Sequence, residues 1–254
     1  MIQKMIKKYA RFLKFAIVGG SGALITFGIT YALTEWADWY YLLSMVLAVA
    51  IATVWNYNFN LLWTFKVLVD FKSPGYEWES FYNGNPIQKW WKQSIARTVW
   101  EWIPFDETLL DVGCGSSPII SKYSKATGID TNYDKIHFMT SRVKGVQFYG
   151  FIPFKPETYD NIICIEVLEH IEEPETMIAT IAEKIKFMGK VVIATPDYKK
   201  PIWSVAEKFT PYKDDHCSKL DKKLLEKLCQ KYSLYPIKHR YIAGCDLVEL
   251  FEKR

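Results

Sequence analysis

What this sequence lacks narrows it first. Its five cysteines, at 114, 164, 217, 229 and 245, form no Cys-x-x-Cys pair. An odd count at irregular spacing indicates neither a disulfide framework nor a thiolate zinc site. Reduced thiols in a cytosolic domain are the simpler expectation. Charge of one sign is not in excess, since 32 Lys+Arg against 28 Asp+Glu leave +4. With no arginine-rich stripe and no RNA-binding aromatic signature, nucleic acid is not expected as a partner. Half of the 254 residues are hydrophobic, with 10 Trp, 16 Tyr and 15 Phe, which is too apolar for disorder.

Charge is missing altogether from two long runs, Phe15 to Thr34 and Tyr40 to Phe65. At 1.5 Å per residue a 20-residue helix spans about 30 Å, the thickness of a bilayer core. Between the runs lies Glu35-Trp36-Ala37-Asp38-Trp39-Tyr40-Tyr41, a short acidic turn with interfacial aromatics. A signal peptide would be shorter and would show a small-x-small cleavage site. A pair of buried core helices is the other alternative, but a membrane hairpin in the lipid bilayer fits better. Lys4, Lys7, Lys8, Arg11 and Lys14 precede the first run, and Lys66 and Lys72 follow the second. The positive-inside rule then puts both termini in the cytoplasm. Ala16/Gly20, Gly19/Ala23 and Gly28/Ala32 are small-xxx-small pairs expected to allow close helix contact. Asn56 and Asn60 share a helix face, either at a helix–helix seam or near the interface.

Arg11-Phe12-Leu13-Lys14-Phe15-Ala16-Ile17-Val18-Gly19-Gly20 and Asn56-Tyr57-Asn58-Phe59-Asn60-Leu61-Leu62-Trp63-Thr64-Phe65 resemble the first half of the GtrA-like family. The resemblance covers about 10–66. It implies a link to translocation of polyprenol-linked sugars. That family normally has four spans and two are present here, so a membrane anchor, or half of a homo-oligomer assembled through the helices, is expected rather than transport.

Lys72-Ser73-Pro74-Gly75 is a turn signal and a boundary. Three parts are expected: a transmembrane hairpin over 1–72, a join with a covering helix over 73–107, and a nucleotide-binding domain over 108–254. In the join, Trp90, Trp91, Ile95, Val99 and Trp102 recur at helical spacing over 87–103. This helix covers a sheet face, or forms a lid, or lies on the membrane surface.

Beyond Thr108, strands are expected at 108–112, 126–130, 146–149, 161–165 and 190–194. Helices are expected at about 117–125, 133–142, 174–187 and 219–231, with a closing strand pair at 235–241 and 245–251. Such alternation means an α/β fold: a Rossmann-like, mainly parallel sheet with a closing antiparallel strand, preceded by the two-helix hairpin. The first strand leads into Asp111-Val112-Gly113-Cys114-Gly115-Ser116-Ser117-Pro118. Gly113 and Gly115 permit a sharp turn and close approach to a ligand. Asp130 ends the second strand, where a carboxylate can accept from ribose hydroxyls. A dinucleotide site wants a third glycine opening the helix. Here Ser-Ser-Pro follows, and Asp111, read as lying inside the turn, would repel a pyrophosphate. A cationic ligand without phosphate suits it.

The block from about 76 to 254 resembles the class I S-adenosylmethionine (SAM)-dependent methyltransferases, especially the branch of the quinone-biosynthesis and small-molecule O-methyltransferases. The resemblance rests on Leu109–Gly115, Asp130, Phe154-Lys155-Pro156-Glu157-Thr158-Tyr159-Asp160, Glu166-Val167-Leu168-Glu169-His170-Ile171 and Phe187-Met188-Gly189-Lys190-Val191-Val192-Ile193. It implies SAM as cofactor, with Asp111, Gly113, Cys114, Gly115, Asp130, Thr131, Phe151, Ile152, Glu166, Val167 and Glu169 around it. Ser117 stands where the family usually has glycine. Gly150-Phe151-Ile152 replaces its frequent acid after strand three, so adenine would be held by apolar contact.

Methyl transfer needs nucleophile and methyl in line, water excluded and, for an oxygen nucleophile, a base. His170 and His216 are the candidate catalytic residues, Asp215 being placed to orient the second; either histidine equally serves as a structural group. Asp214, Asp215 and His216 lack a further ligand, so no metal is expected. Trp203 and Phe209 either face an apolar acceptor or pack. The expected function is a membrane-anchored SAM-dependent methyltransferase, O-methyl transfer to a lipid-embedded or lipid-linked acceptor such as a polyprenol-linked sugar or a quinone. The alternative is a non-catalytic assembly or translocation factor with a degenerate fold.

Overall fold

The chain divides into two compact units, Met1–Leu68 and Val69–Arg254. The structure is a computed structural model that describes residues 2–60, 73–151, 158–207 and 216–254. In the first unit α1 (Ile2–Glu35) and α2 (Tyr41–Phe59) fold back on each other. The expected end of the second run, 61–65, lies outside the described residues. Both helices are long and apolar enough to cross a membrane. Leu24, Phe27, Val46 and Val54 are exposed on their outer faces. A soluble core helix would bury such side chains, whereas lipid covers them at no cost.

The seam between the helices differs from the expected one. Gly19, Gly20 and Gly28 have nothing near the position of a Cβ, so the expected small-residue pairs are not where α1 meets α2. The close approach is instead at Gly22, where a Cβ would overlap the Asn56 carboxamide. Val18, Ser44, Ala48 and Ala52 are buried along the same seam, and Trp55 donates to Ser21 Oγ at 3.0 Å. Asn56 is therefore a seam residue, while Asn58 is half-buried and returns its amide to Val54 at 2.7 Å.

The second unit is a seven-stranded sheet, β1 (Leu109–Val112), β2 (Ala126–Ile129), β3 (Gln147–Tyr149), β4 (Tyr159–Ile165), β5 (Ile185–Pro196), β6 (Leu234–Ile242) and β7 (Asp246–Lys253). Its order is β3-β2-β1-β4-β5-β7-β6. The first five are parallel, and β7 pairs antiparallel with both β5 and β6. This is the expected Rossmann-like sheet with its closing antiparallel pair.

Alternate residues of the central strands go to opposite faces. Leu110, Ile162 and Val191 meet Ile178 and Ile181 of α6 (Pro174–Lys184) and Leu225 of α8 (Lys222–Lys231). Leu109, Ile163 and Val192 meet Ile95 and Val99 of α4 (Pro86–Trp102) and Met139 of α5 (Tyr133–Arg142). The helix starts are capped: Asn85, Asn132 and Asp221 accept amides at the N-termini of α4, α5 and α8.

Two short helices were not expected, α3 (Tyr76–Asn83) and α7 (Pro201–Ala206). Tyr76, Ser80 and Phe81 give α3 its buried face. The expected helix at 117–125 is only a 3-10 turn, Pro118–Lys122. The sixth helix stops at Lys184, three residues short of the expected end, because Ile185 turns extended (ψ 135°) and already begins β5.

Candidate functional site

From β1 the chain crosses one way to β2 and β3, then returns to β4 on the other side. Crevices for ligands form at the carboxyl ends of strands at such a switch point. Here the turn after β1 takes Gly113 to φ 69° and Gly115 to φ 51°. A Cβ on Gly113 would overlap the Val167 methyls, so glycine is required there twice over, by conformation and by space. Ser117 has an ordinary φ of −70° and its hydroxyl accepts the Ile119 amide at 3.3 Å. It caps the 3-10 turn and needs no glycine.

The turn's amides are taken by the protein's own carboxylates. Gly115 N donates to Asp130 Oδ2 at 2.8 Å, and Ser116 N donates to Glu77 Oε2 at 3.2 Å. Asp130 Oδ1 also accepts from Asn132 N at 2.7 Å. Glu77 comes from α3, accepts the Ser116 hydroxyl and pairs with Lys135 at 2.6 Å. Burial pushes the Glu77 carboxyl up, but Lys135, Ser116 and Lys92 more than offset this and hold it below its ordinary range.

Asp111 is on β1 rather than inside the turn, and it is only 2% exposed. Its Oδ2 has no hydrogen-bond partner. Burial, then the neighbouring Asp130, raise its carboxyl to about 8. Cys114 is buried, its amide donating to Ile129 O, and burial raises its thiol far above the ordinary range. It contributes backbone, not a reactive sulfur.

These groups line a cleft of about 780 Å³. The expected residues Asp111, Gly113, Cys114, Gly115, Asp130, Thr131, Phe151, Glu166, Val167, Glu169, His170 and His216 all border it. Ile152, Asp214, Asp215 and Phe209 lie outside the described residues. Tyr133 and Phe151 are exposed, and a Cβ on Gly150 would meet the Tyr133 ring. Of the two, Phe151 borders the cleft, an apolar side chain where an acid is often found. Not foreseen were Tyr76, Glu77, Lys92 and Ile95, which α3 and α4 bring to the cleft. The helical periodicity of 87–103 showed a buried face, and α4 uses it both to cover the sheet and to wall the cleft. Lys92 pairs with Glu166, which holds φ 55° directly after β4. Burial lowers the Lys92 ammonium, but Glu166 and Tyr76 outweigh it and the group is raised.

The opposite wall is built around Glu169, in the 3-10 turn Leu168–His170. Its buried carboxylate accepts from Thr195 Oγ1 at 3.1 Å. Burial and Glu166 raise it to about 8. Its carbonyl accepts the amides of Cys217 and Ser218 at 2.8 and 3.1 Å. That pair of bonds carries His216 to His170, ring centroids 4.9 Å apart. His216 stacks on Trp203 at an interplanar angle of 18°, and its Nδ1 is 2.6 Å from Tyr198 Oη. Glu169, His170 and His216 offer ligand atoms within 4.8 Å of one another. The sequence alone did not suggest this group, because only the fold joins its two segments.

Two family models match the chain. One, described as GtrA/DPMS, transmembrane domain, matches residues 14–117, and one described as methyltransferase domain matches 86–239. The stretch they share, 86–117, forms α4, β1 and the glycine turn of the second unit. The chain is 27% identical over 115 residues to a ubiquinone biosynthesis O-methyltransferase of Serratia proteamaculans, covering 40% of this chain and 48% of that one. It thus spans about half the length of the curated relatives it matches. Among solved structures, a SAM-dependent methyltransferase of Thermotoga maritima, described as a possible histamine N-methyltransferase, superimposes with a TM-score of 0.57 at 14% identity, over 70% of this chain and 95% of that one. The magnesium protoporphyrin IX methyltransferase of Synechocystis with bound SAH gives 0.53 at 16% identity, over 67% and 88%. At these identities the likeness is one of fold.

Proposed function

We propose, for a chain that belongs to the methyltransferase-domain family, SAM-dependent methyl transfer to a lipid-embedded or lipid-linked acceptor at the cytoplasmic face of a membrane. The observation that carries the reading is the charge arrangement at the glycine turn. A phosphate-binding turn leaves its amides free for the ligand. Here Asp130 and Glu77 occupy two of them, and Asp111 adds a buried carboxylate oxygen with no partner. An unsatisfied buried acid suits a cation. SAM carries an ammonium and a sulfonium and no phosphate, so the residues fit it. Lys92, a desolvated cation in the same cleft, suits its carboxylate, and Asp130 suits its ribose.

When bound there, SAM supplies a methyl already activated on sulfur. The protein's own task is positioning and exclusion of water. Gly113, Gly115 and Val167 shape the close approach, while Phe151 offers apolar surface to adenine. His170, His216 and Trp203 form the acceptor side, either histidine taking the acceptor's proton. The Glu169–His170–His216 group favours a second form of the same reading, in which a divalent cation held there orients an acceptor oxygen.

The two apolar helices, the GtrA/DPMS match and the basic flanks support an anchor with both termini in the cytoplasm. Anchoring raises effective concentration toward an acceptor in the same bilayer. The relatives named for ubiquinone biosynthesis favour a quinone-like acceptor, and the membrane match favours a polyprenol-linked sugar. An intact turn, strand-end acid and β4 segment weigh against a degenerate, non-catalytic fold. The test is transfer of labelled methyl from SAM into native membrane lipids, with the product identified by mass spectrometry. A labelled lipid is expected; purified protein that neither binds nor consumes SAM sinks the reading.

A further inference from the structure

The first helix of the methyltransferase unit does more than cover the sheet. Glu77 is one residue into α3 and reaches the glycine turn through a reciprocal set of bonds. Ser116 N and Ser116 Oγ both donate to Glu77 Oε2, and Glu77 N donates to Ser116 Oγ at 3.2 Å. The other carboxylate oxygen binds Lys135 of α5 at 2.6 Å. Ser116 is fully buried, and the site of a Cβ on Gly115 is 3.2 Å from the Glu77 carboxyl carbon. One side chain thus ties α3, the turn after β1 and α5 together beside the cleft.

We propose that Glu77 is a positioning residue for the cofactor, a latch that holds the glycine turn in its ligand-ready shape. The proposal rests on the reading of the cleft as a SAM site. The turn itself is short and built on two glycines at positive φ, which an untethered chain leaves as readily as it adopts. Asp130 fixes it from the Gly115 side and Glu77 from the Ser116 side. Hydrogen bonds to an ionised, desolvated carboxylate are the strong ones, so losing this one frees the half of the turn that faces α3. Because α3 opens directly after the segment that leaves the apolar hairpin, the cofactor turn is held by the element nearest the anchor in sequence.

The test is SAM affinity by calorimetry on the full chain in detergent. Glu77→Ala is expected to weaken SAM binding about tenfold. A neutral acceptor of the same shape should restore it once the facing cation is also removed. Glu77→Gln combined with Lys135→Met is therefore expected within about threefold of the wild type. A role in stability alone predicts a lowered melting temperature in Glu77→Ala with the SAM affinity of the folded protein unchanged. Ser116→Ala, which removes the hydroxyl and keeps the amide, provides a milder probe should Glu77→Ala fail to fold, with affinity weakened about threefold. Wild-type affinity in Glu77→Ala, or in Ser116→Ala where the former does not fold, overturns the latch. A wild-type chain that binds no SAM overturns the functional reading instead, so the two failures are distinguishable.

Discussion

On the proposed function, Asp111 is the residue whose ionisation should report the ligand. In the free protein its carboxyl is raised to about 8 by burial and Asp130, against about 3.9 in an unfolded chain. The fold therefore binds a proton that the unfolded chain releases between these values. This group's contribution to stability is full below about 4 and is lost as pH rises toward about 8. A cation in the cleft reverses the preference, favouring the carboxylate, and so expels that proton. SAM affinity is expected to rise with pH up to about 8 and then level off. Calorimetry near pH 7 in buffers of different ionisation heat should show close to one proton released. Asp111→Asn should bind more weakly and show a smaller release; the difference removes any contribution from Glu169. No proton release by the wild type would falsify the assignment of Asp111. Gly113 allows a purely steric test. Alanine there must hold φ 69° and push aside Val167. The left-handed backbone alone costs about 1–2 kcal/mol, so a clearly lowered melting temperature is expected, whereas the same change at Gly145, which has open space beside it, meets only the backbone cost.

At the scale of elements, what the sequence made legible follows from period and chain order. Alternation of β-rich and helical segments gave the sheet, because each βαβ unit is local. Helical spacing gave α4, and the turn chemistry of Gly113-Cys114-Gly115 gave the cleft's floor. The short α3 was hidden in an aromatic stretch whose buried face is Tyr76, Ser80 and Phe81, too brief to show a period. Glu77 was hidden with it. The pairing of His170 with His216 was equally illegible, since it depends on two amides reaching the Glu169 carbonyl from far along the chain. That paired element makes its own prediction. If Glu169, His170 and His216 hold a divalent cation, extensive dialysis against chelator abolishes methyl transfer, magnesium or manganese restores it, and SAM binding is unchanged. Activity indifferent to chelator leaves the histidines as proton acceptors only. In the hairpin, small residues were legible but their partners were not. The small-residue pairs of α1 lie on other faces, and only the fold selects Gly22.

At the scale of the whole chain, two units with different solvents must share one address. The hairpin exposes leucine, phenylalanine and valine to its surroundings, whereas the second unit carries its apolar side chains between a sheet and its helices. The proposed function reconciles an apolar exterior and a methyltransferase fold in one chain by a bilayer on one side of which the cofactor is made. In the proposed orientation, the basic residues before the first helix and after the second choose the side. Single cysteines introduced at Lys8 and Asp38 in a chain lacking its own five test this. Asp38, in the turn between the helices, should react with an impermeant thiol reagent on intact cells. The cysteine at position 8 should react only after permeabilisation, and the chain should stay with the membrane through an alkaline carbonate wash. The opposite labelling pattern would put the cleft on the far side of the bilayer from SAM, and a chain released by the wash would remove the anchor from the account altogether.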